Sequence, residues 1–156
     1  ATDSNPNAVE NARLNADRLG MSGVVRIVGP ADLFDAVRGE TFDVVIFNAP
    51  WIQGEPETTY DTAIYDPGYR VIDGFMRAVP ARLREGGCIL LQYSNVSEGR
   101  GDGSVSHIKA EIEKAGFDIA RNIVINRKSR VTGNSETVSF MRLTKKNIER
   151  LDDVPA

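Results

Sequence analysis

Four consecutive residues, Asn48-Ala49-Pro50-Trp51, combine an amide, a small residue, an imino acid and an aromatic ring. They follow an apolar run at 44–47 that is typical of a parallel strand covered on both faces. Loops at the carboxyl ends of strands in an open α/β sheet are where ligands usually bind. The four residues therefore indicate a binding or catalytic site, although an Asx-turn followed by an ordinary buried tryptophan would also explain them.

The elements that must position this site follow from apolar periodicity and from the glycines and prolines. A helix should begin at Pro6, capped by Asn5 or Ser4, and end at Gly20. The patterns predict further helices at about 67–83 and 105–115, and strands at 24–28, 42–47, 88–93, 117–127 and 137–143. Alternation of strands and helices predicts a parallel sheet with right-handed crossovers. The last two strands are joined only by a turn at 132–134 and should be antiparallel.

The composition excludes several classes of protein. The chain has 156 residues and a net charge of -3, so it is long enough for one domain and has no global basic field for nucleic acid. No apolar run reaches the length of a membrane span, and we expect a cytoplasmic protein with no membrane partner. Cys88 is the only cysteine and is expected in a buried strand, and His107 is the only histidine, so no metal site is predicted.

The order of elements resembles the class I S-adenosylmethionine-dependent methyltransferase fold from its second strand onward. The resemblance implies a three-layer, Rossmann-like α/β sheet over residues 1–143, mostly parallel with an antiparallel C-terminal strand. Residues 144–156 would form a polar tail. The family's first strand and its G-x-G-x-G turn would precede Ala1, so the N-terminal strand-helix unit is expected to be missing. We then expect the chain alone to be incomplete and to bind the cofactor weakly.

Asn48-Ala49-Pro50-Trp51 resembles the Asn-Pro-Pro-Tyr/Phe/Trp signature of methyltransferases that act on planar nitrogens. In that family two acceptors hold the two N–H bonds of the nitrogen and orient it toward the sulfonium methyl. The resemblance assigns these roles to the Asn48 side-chain oxygen and the Ala49 carbonyl. Pro50 would stiffen the turn and Trp51 would stack on the planar group. Ala49 replaces the family's first proline, which keeps the carbonyl but makes the turn less rigid.

The same resemblance implies S-adenosyl-L-methionine as the cofactor. Asp3 would accept hydrogen bonds from both ribose hydroxyls, because one carboxylate can accept two donors. Asp32 would accept from the adenine amino group, and the backbone of Ala31 or Leu33 would meet the ring edge. Asn48 counts among both the catalytic and the cofactor-binding residues. Both assignments have a structural alternative. Asp3 could be a carboxylate that is favoured near a helix N-terminus, and residues 29–34 could be a turn followed by a helix cap.

The segment at 65–93 resembles release-factor-type glutamine methyltransferases. The expected partner is a methyl acceptor, either a protein glutamine, the exocyclic amine of a nucleic acid, or a small molecule. Four residues of the long loop and the turn after it could line a substrate cleft or simply pack the loop: Tyr60, Tyr65, Asp66 and Tyr69.

Two other functions remain open from the sequence. One is a nucleotide-dependent oxidoreductase, since an acidic residue after a second strand also binds ribose in dinucleotide folds. The other is a non-catalytic binding fragment. The glycine-rich stretch SEGRGDGS at 97–104 could hold a cofactor loop in a circularly permuted chain, although its position matches the family's fifth unit. The basic stretch at 125–130 is expected to be a solvated strand end, or else a contact to RNA or an acidic partner.

Overall fold

The computed structural model describes residues 1–95, 104–128 and 135–146. Its helices are α1 (Pro6–Arg18), α2 (Arg70–Ala78) and α3 (Ser104–Lys114), and its strands are β1 (Phe42–Asn48), β2 (Leu83–Ser94), β3 (Phe117–Lys128) and β4 (Ser135–Lys145). The glycine-rich stretch at 97–103, the end of the basic stretch at 129–130, the turn at 132–134 and the tail from 147 onward lie outside the described residues. None of the described helices combines the length and apolar character that a membrane crossing requires.

The chain divides into two compact units. The N-terminal unit consists of Ala1–Thr41 and Ala49–Arg82, and the sheet unit consists of Phe42–Asn48 and Leu83–Ala156. The division falls inside the predicted signature, because Asn48 belongs to the sheet unit and Ala49 to the N-terminal unit.

The sheet unit contains a four-stranded mixed sheet in the order β1-β2-β4-β3. β1 pairs with β2 in parallel, and β4 pairs antiparallel with both β2 and β3. The predicted parallel pairing of 42–47 with 88–93 and the antiparallel last strand are confirmed. β1, β2 and β3 therefore run in the same direction and only β4, the C-terminal strand, runs against them, so the predicted orientation of these four strands is confirmed, and both pairs that involve β4 are antiparallel.

One face of this sheet carries the core of the sheet unit. Alternate positions of β2 and β4 are buried there, including Ile89, Leu91 and Leu143. α3 contacts β3 and buries Ile108 and Ile112, which lie one turn apart on the same side of the helix. Cys88 is buried and unpaired, as expected of a small core residue.

β1 does not have the two covered faces that its apolar run predicts. Val44 and Ile46 are exposed, whereas Val45 and Phe47 are partly buried. Neighbouring residues of a strand point to opposite faces, and β1 is one of the two edge strands of the described sheet. Only one of its faces is covered, so the prediction of burial on both faces is wrong.

The strand predicted at 24–28 is also absent from the described residues. Only Val28 forms a bridge, a parallel one with Thr2, and Val24 is 83% exposed. Val28 N–H donates to the Ala1 carbonyl at 3.0 Å. Apolar β-branched residues favour a strand, but among the described residues the Thr2–Val28 bridge is the one strand-type pairing that this segment makes.

The predicted helix at 67–83 is shorter in the structure. Pro67–Tyr69 and Val79–Arg82 are 3-10 turns on either side of α2. Tyr69 has a φ of 59° and separates the first turn from the helix. β2 begins at Leu83, ahead of the predicted start at 88, because Leu83 pairs with Phe42 of β1. Pro80 lies in the second turn, in agreement with the prediction that it interrupts the helix.

Candidate functional site

Asn48 is the last residue of β1 and lies opposite Gln92 of β2. Its side chain is exposed, and within the described part of the chain it makes no hydrogen bond. An Asx-turn needs a backbone N–H two residues later, and Pro50 has none. Asn48 therefore cannot form the hydrogen bond of the Asx-turn that the sequence offered as an alternative. Its amide oxygen remains available as an acceptor.

The rest of the signature lies in the N-terminal unit. Ala49 and Pro50 are buried, and Trp51 is partly buried. The backbone N–H groups of Trp51 and Ile52 both donate to the Ile64 carbonyl, at 3.1 and 3.0 Å. This shared acceptor folds the long loop back onto the residues that follow the strand.

The loop is ordered by side chains as well as by its backbone. Gln53 Nε2 donates to the Asp66 carbonyl at 2.7 Å, and its Oε1 accepts from Gly68 N–H at 3.0 Å. The Tyr65 ring lies against Gly54, where an added Cβ would be 3.1 Å from Tyr65 Cδ1. Tyr65 thus packs the loop, which is one of the two roles considered for it. The sequence did not predict this role for Gln53. Its hydrogen-bond partners, Asp66 and Gly68, are 13 and 15 residues away in sequence, so no pattern of neighbouring residues indicates the contact.

Asp61 fixes the tip of the loop. Its Oδ2 accepts hydrogen bonds from Thr58 Oγ1 at 2.9 Å, from Thr58 N–H at 2.8 Å and from Glu57 N–H at 3.1 Å. The Thr58 hydroxyl is the main reason that the pKa of the Asp61 carboxyl is lowered, since hydrogen bonds to a carboxylate favour its charged form.

Asp66 is a buried structural carboxylate. Its Oδ1 accepts from Val71 N–H at 2.8 Å and its Oδ2 from Ile72 N–H at 3.0 Å, two amides in the first turn of α2. Burial raises the pKa of Asp66, and it outweighs these two hydrogen bonds, which act in the opposite direction. The carboxylate thus holds the end of the loop against the start of α2, and each of its oxygens accepts one of these two hydrogen bonds.

The two segments that the sequence predicts to bind the cofactor, far apart in sequence, meet in the N-terminal unit. Ala31 N–H donates to the Asp3 carbonyl at 3.0 Å, and a Cβ added to Gly29 would be only 3.0 Å from the same oxygen. Gly29, with a φ of 123°, is therefore suited to this close approach. Asp3 Oδ1 accepts from Asn5 N–H at 2.8 Å, and within the described residues Oδ2 accepts no hydrogen bond.

Asn5, rather than Asp3, caps α1. The Asn5 side chain accepts from Asn7 N–H at 2.9 Å, as expected for a residue just before Pro6. The Asp3 carboxylate is exposed and lies outside the cap, which leaves one of its oxygens for another donor.

The turn at 31–34 is held from both sides. Thr2 Oγ1 donates to the Leu33 carbonyl at 3.3 Å, and the Phe34 ring stacks on Phe75 with centroids 5.6 Å apart. Asp32 is exposed. The backbone of Ala31 or Leu33 is predicted to meet the adenine edge, and the Ala31 N–H already donates to the Asp3 carbonyl.

No protein-family model matches the chain. A curated relative, the release factor glutamine methyltransferase of Xylella fastidiosa (strain 9a5c), is 30% identical over 103 residues, which cover 60% of this chain and 37% of the relative. The chain thus spans little more than a third of that protein.

Two solved structures share the architecture. Ribosomal protein L11 methylase from Lactobacillus delbrueckii subsp. bulgaricus matches with a TM-score of 0.59 at 15% identity, over 94% of this chain and 57% of that one. M. jannaschii TYW2, crystallised in complex with AdoMet, matches with a TM-score of 0.51 at 17% identity, over the same shares of 94% and 57%. This chain has the fold of a class I S-adenosylmethionine-dependent methyltransferase. Within this methyltransferase fold, Asn48 ends a parallel strand, and Asp3 adjoins the 31–34 turn.

Proposed function

We propose that the chain is part of an S-adenosylmethionine-dependent methyltransferase that transfers a methyl group to a planar nitrogen. The observation that carries the proposal is the exposed Asn48 amide at the carboxyl end of β1, without a hydrogen bond among the described residues and directly followed by buried Ala49 and Pro50. A planar nitrogen has a delocalised lone pair and is a poor nucleophile, so its orientation decides the rate.

In this proposal Asn48 and Ala49 supply the two acceptors. The Asn48 side-chain oxygen would accept a hydrogen bond from one N–H of the substrate and the Ala49 carbonyl from the other, which directs the nitrogen lone pair toward the electrophilic methyl group that the cofactor supplies. The C–N bond would form as the methyl–sulfur bond breaks, S-adenosylhomocysteine would be the leaving group, and the nitrogen would release one of its protons to solvent. Pro50 restricts the turn between these acceptors and Trp51, whose ring would stack on the planar group.

The cofactor would lie against the N-terminal unit. Asp3 Oδ2, with no hydrogen bond among the described residues, would accept from the ribose hydroxyls, while Asp32 and Leu33 N–H would meet the adenine edge. The adjacent position of Asp3 and Ala31 supports this assignment, because a nucleoside must reach both motifs at once.

We propose the side-chain amide of a protein glutamine as the acceptor. The support is the curated relative, whose name describes a release factor glutamine methyltransferase. A glutamine amide also offers the two N–H bonds and the flat surface that Asn48, Ala49 and Trp51 would recognise.

The test compares Asn48→Ala with Gln92→Ala, a matched control that removes the neighbouring amide of the same sheet row. Methyl transfer from labelled S-adenosylmethionine to a glutamine-bearing release-factor protein is measured with the full-length protein that contains this chain. We expect Asn48→Ala to lower turnover by roughly 100-fold, because one lost transition-state hydrogen bond of this kind costs about 2–4 kcal/mol. Affinity for the cofactor should change little.

Two further variants separate the roles. Asn48→Asp keeps an acceptor and adds a charge, so partial activity is expected. Asp3→Ala should weaken cofactor binding, measured by calorimetry, with a smaller effect on turnover at saturating cofactor. Full turnover of Asn48→Ala on a substrate that the unmodified protein methylates would show that Asn48 is a turn residue and that the proposed chemistry is wrong.

A further inference from the structure

The two ends of the long loop are held together directly at Trp51. The N–H groups of Trp51 and Ile52 both donate to the Ile64 carbonyl, at 3.1 and 3.0 Å. The Ile52 carbonyl in turn accepts from Asp66 N–H at 2.8 Å, and Ile52 forms a parallel bridge with Tyr65. Surface loops whose ends are joined in this way are frequently functional. These hydrogen bonds fix the main chain of Trp51 relative to the far end of the loop.

The side chain of Gln53 crosses between the same two ends. Its Nε2 donates to the Asp66 carbonyl at 2.7 Å, and its Oε1 accepts from Gly68 N–H at 3.0 Å. A primary amide carries a donor and an acceptor side by side, so one glutamine satisfies both backbone groups at once. Gln53 is also partly buried, and hydrogen bonds are stronger where water is partly excluded.

Asp66 connects this arrangement to α2. Its backbone N–H and carbonyl are bonded to Ile52 and Gln53, as described above. Its carboxylate accepts from two N–H groups in the first turn of α2, at 2.8 and 3.0 Å. The segment that carries Trp51 is therefore anchored to a helix and not only to the rest of the loop.

Trp51 is thus restricted on both sides, because the ring of Pro50 fixes the φ angle of the preceding residue in the chain. We propose that Gln53 is a positioning residue of the methyl-transfer site, which holds Trp51 in place before the methyl acceptor arrives. This role of Gln53 rests on the proposed function, because it requires that Trp51 stacks on the planar group. A ring that is already ordered loses less conformational entropy when the acceptor binds.

Gln53→Met keeps the approximate length of the side chain and removes both hydrogen bonds. In methyl-transfer assays with the full-length protein that contains this chain, it should raise the KM for the acceptor by about tenfold, since Trp51 must then be ordered at each binding event. The kcat at saturating acceptor and the Kd for S-adenosylmethionine should each change by less than about twofold.

Gln53→Glu tests the hydrogen-bond pattern itself. A protonated carboxyl offers a donor and an acceptor, as the amide does, whereas an ionised carboxylate only accepts. The ionised form would face the Asp66 carbonyl oxygen, so the pKa of the new carboxyl should lie above the ordinary glutamate value of about 4.3. The ratio of its KM to that of the unmodified protein should therefore fall as the pH is lowered from about 7.5 to about 5. Both proteins share the other charged groups of the loop and of the first turn of α2, so the ratio corrects for them: Glu55, Glu57, Asp61, Asp66, Arg70 and Asp73.

Fluorine NMR observes Trp51 without any methyl transfer. Trp51 is the only tryptophan of this chain. In the full-length protein labelled with fluorotryptophan, its resonance is the one that Trp51→Phe removes. We expect Gln53→Met to shift that resonance, and Gln53→Glu to shift it reversibly between acid and neutral pH. Because no acceptor is present, the NMR result holds even if the proposed chemistry is wrong.

Asp61→Ala is the matched control from the same loop. It removes the hydrogen bonds that Asp61 Oδ2 accepts at the loop tip from Thr58 Oγ1, Thr58 N–H and Glu57 N–H. It should lower stability to a similar extent, which chemical denaturation measures, because hydrogen bonds to backbone N–H groups are lost in each case. The KM for the acceptor and the Trp51 resonance should stay unchanged.

An unchanged KM or an unchanged Trp51 resonance in Gln53→Met would overturn the proposal. Equal effects of Asp61→Ala and Gln53→Met would also overturn it, since general loosening of the loop would then explain both. A KM ratio for Gln53→Glu that does not depend on pH would show that the two hydrogen bonds of Gln53 do not hold Trp51. Failure of the proposed function looks different: Asn48→Ala would keep full turnover while the Trp51 resonance still responds to Gln53→Met.

Discussion

Asp66 joins the long loop to α2 through a single side chain. Its two oxygens take the N–H groups of Val71 and Ile72, and its own backbone N–H donates to the Ile52 carbonyl at 2.8 Å. Tyr69, directly before α2, has a left-handed φ of 59° and makes no side-chain capping hydrogen bond, so Asp66 caps the helix although it is not the adjacent residue in sequence. This arrangement fixes where the loop ends and α2 begins.

Asp66→Ala should lower the free energy of unfolding by roughly 1–3 kcal/mol, because two amides at the helix N-terminus lose their acceptors. Asp66→Asn keeps one acceptor and should cost less. Chemical denaturation followed by far-UV circular dichroism measures both. Glu55→Ala, in the exposed part of the same loop, is the control and should change stability by less than about 0.5 kcal/mol. Equal effects of the three substitutions would contradict the capping role.

The raised pKa of Asp66 gives this cap a pH dependence. A carboxyl whose pKa is higher in the folded than in the unfolded state binds its proton more tightly when folded. Its contribution to stability is fully present below the ordinary value of 3.8 and is lost as the pH rises through the raised pKa. The difference in unfolding free energy between the unmodified chain and Asp66→Asn should therefore be larger in acid than at neutral pH. If this difference in unfolding free energy instead grew toward neutral pH, the predicted direction of the pH dependence would be wrong.

At the level of elements, the β1–β2 pair depends on a close backbone approach. The register shifts between Phe42 and Val44, and Gly87 lies at this irregularity. A Cβ on Gly87 would lie 3.0 Å from the carbonyl oxygens of Arg84 and Asp43. Both are backbone atoms, Asp43 in β1 and Arg84 in β2 itself, so relief would require the two strands to move apart and the start of β2 to shift as well.

Gly87→Ala should destabilise the chain by about 1–3 kcal/mol, the usual cost of inserting a methyl group where there is no room. Gly23→Ala is a matched control, since a Cβ there meets nothing within 4 Å and the residue has no positive φ. It should be neutral or stabilising by up to about 1 kcal/mol. Thermal and denaturant unfolding compare the two, and a Gly87→Ala chain as stable as Gly23→Ala would show that the strands adapt without strain.

At the scale of the whole molecule, stability should be distributed unevenly. β2 has a paired strand on each side, as does β4, and Ile89 and Leu143 within them are fully buried. The segment at 21–27 is mostly exposed and lacks an assigned strand or helix. Local opening follows such differences in burial and hydrogen bonding.

Hydrogen exchange followed by mass spectrometry should show this gradient. Amides in the centres of β2 and β4 should exchange last, through global unfolding, and those at 21–27 should exchange first. The exchange of α1, whose cap is intact, should fall between them. Protection at 21–27 equal to that of β2 would contradict the absence of a strand there.

Local chemistry made several features predictable from the sequence. α1 starts at Pro6 because the Asn5 side chain supplies a hydrogen-bond acceptor for the first turn. Pro6 has no backbone N–H, but an N–H at this position would have no partner within the helix. The antiparallel pairing of β3 with β4 followed from two apolar segments with no helix between them. The position of Asn48 at a strand end also needed only the neighbouring residues.

Tertiary structure alone decided which surfaces are covered, which partners exist and where the register shifts. Residues 24–28 have strand-forming side chains, but among the described residues only Val28 is bridged to another segment, so they form no ladder. Ile46 and Val45 are equally apolar, yet Ile46 is far more exposed, because strand alternation sends them to different faces. Arg121 joins Arg142 only through the register shift at Ala120. Each of these outcomes depends on residues distant in sequence, whereas caps and turns depend on immediate neighbours.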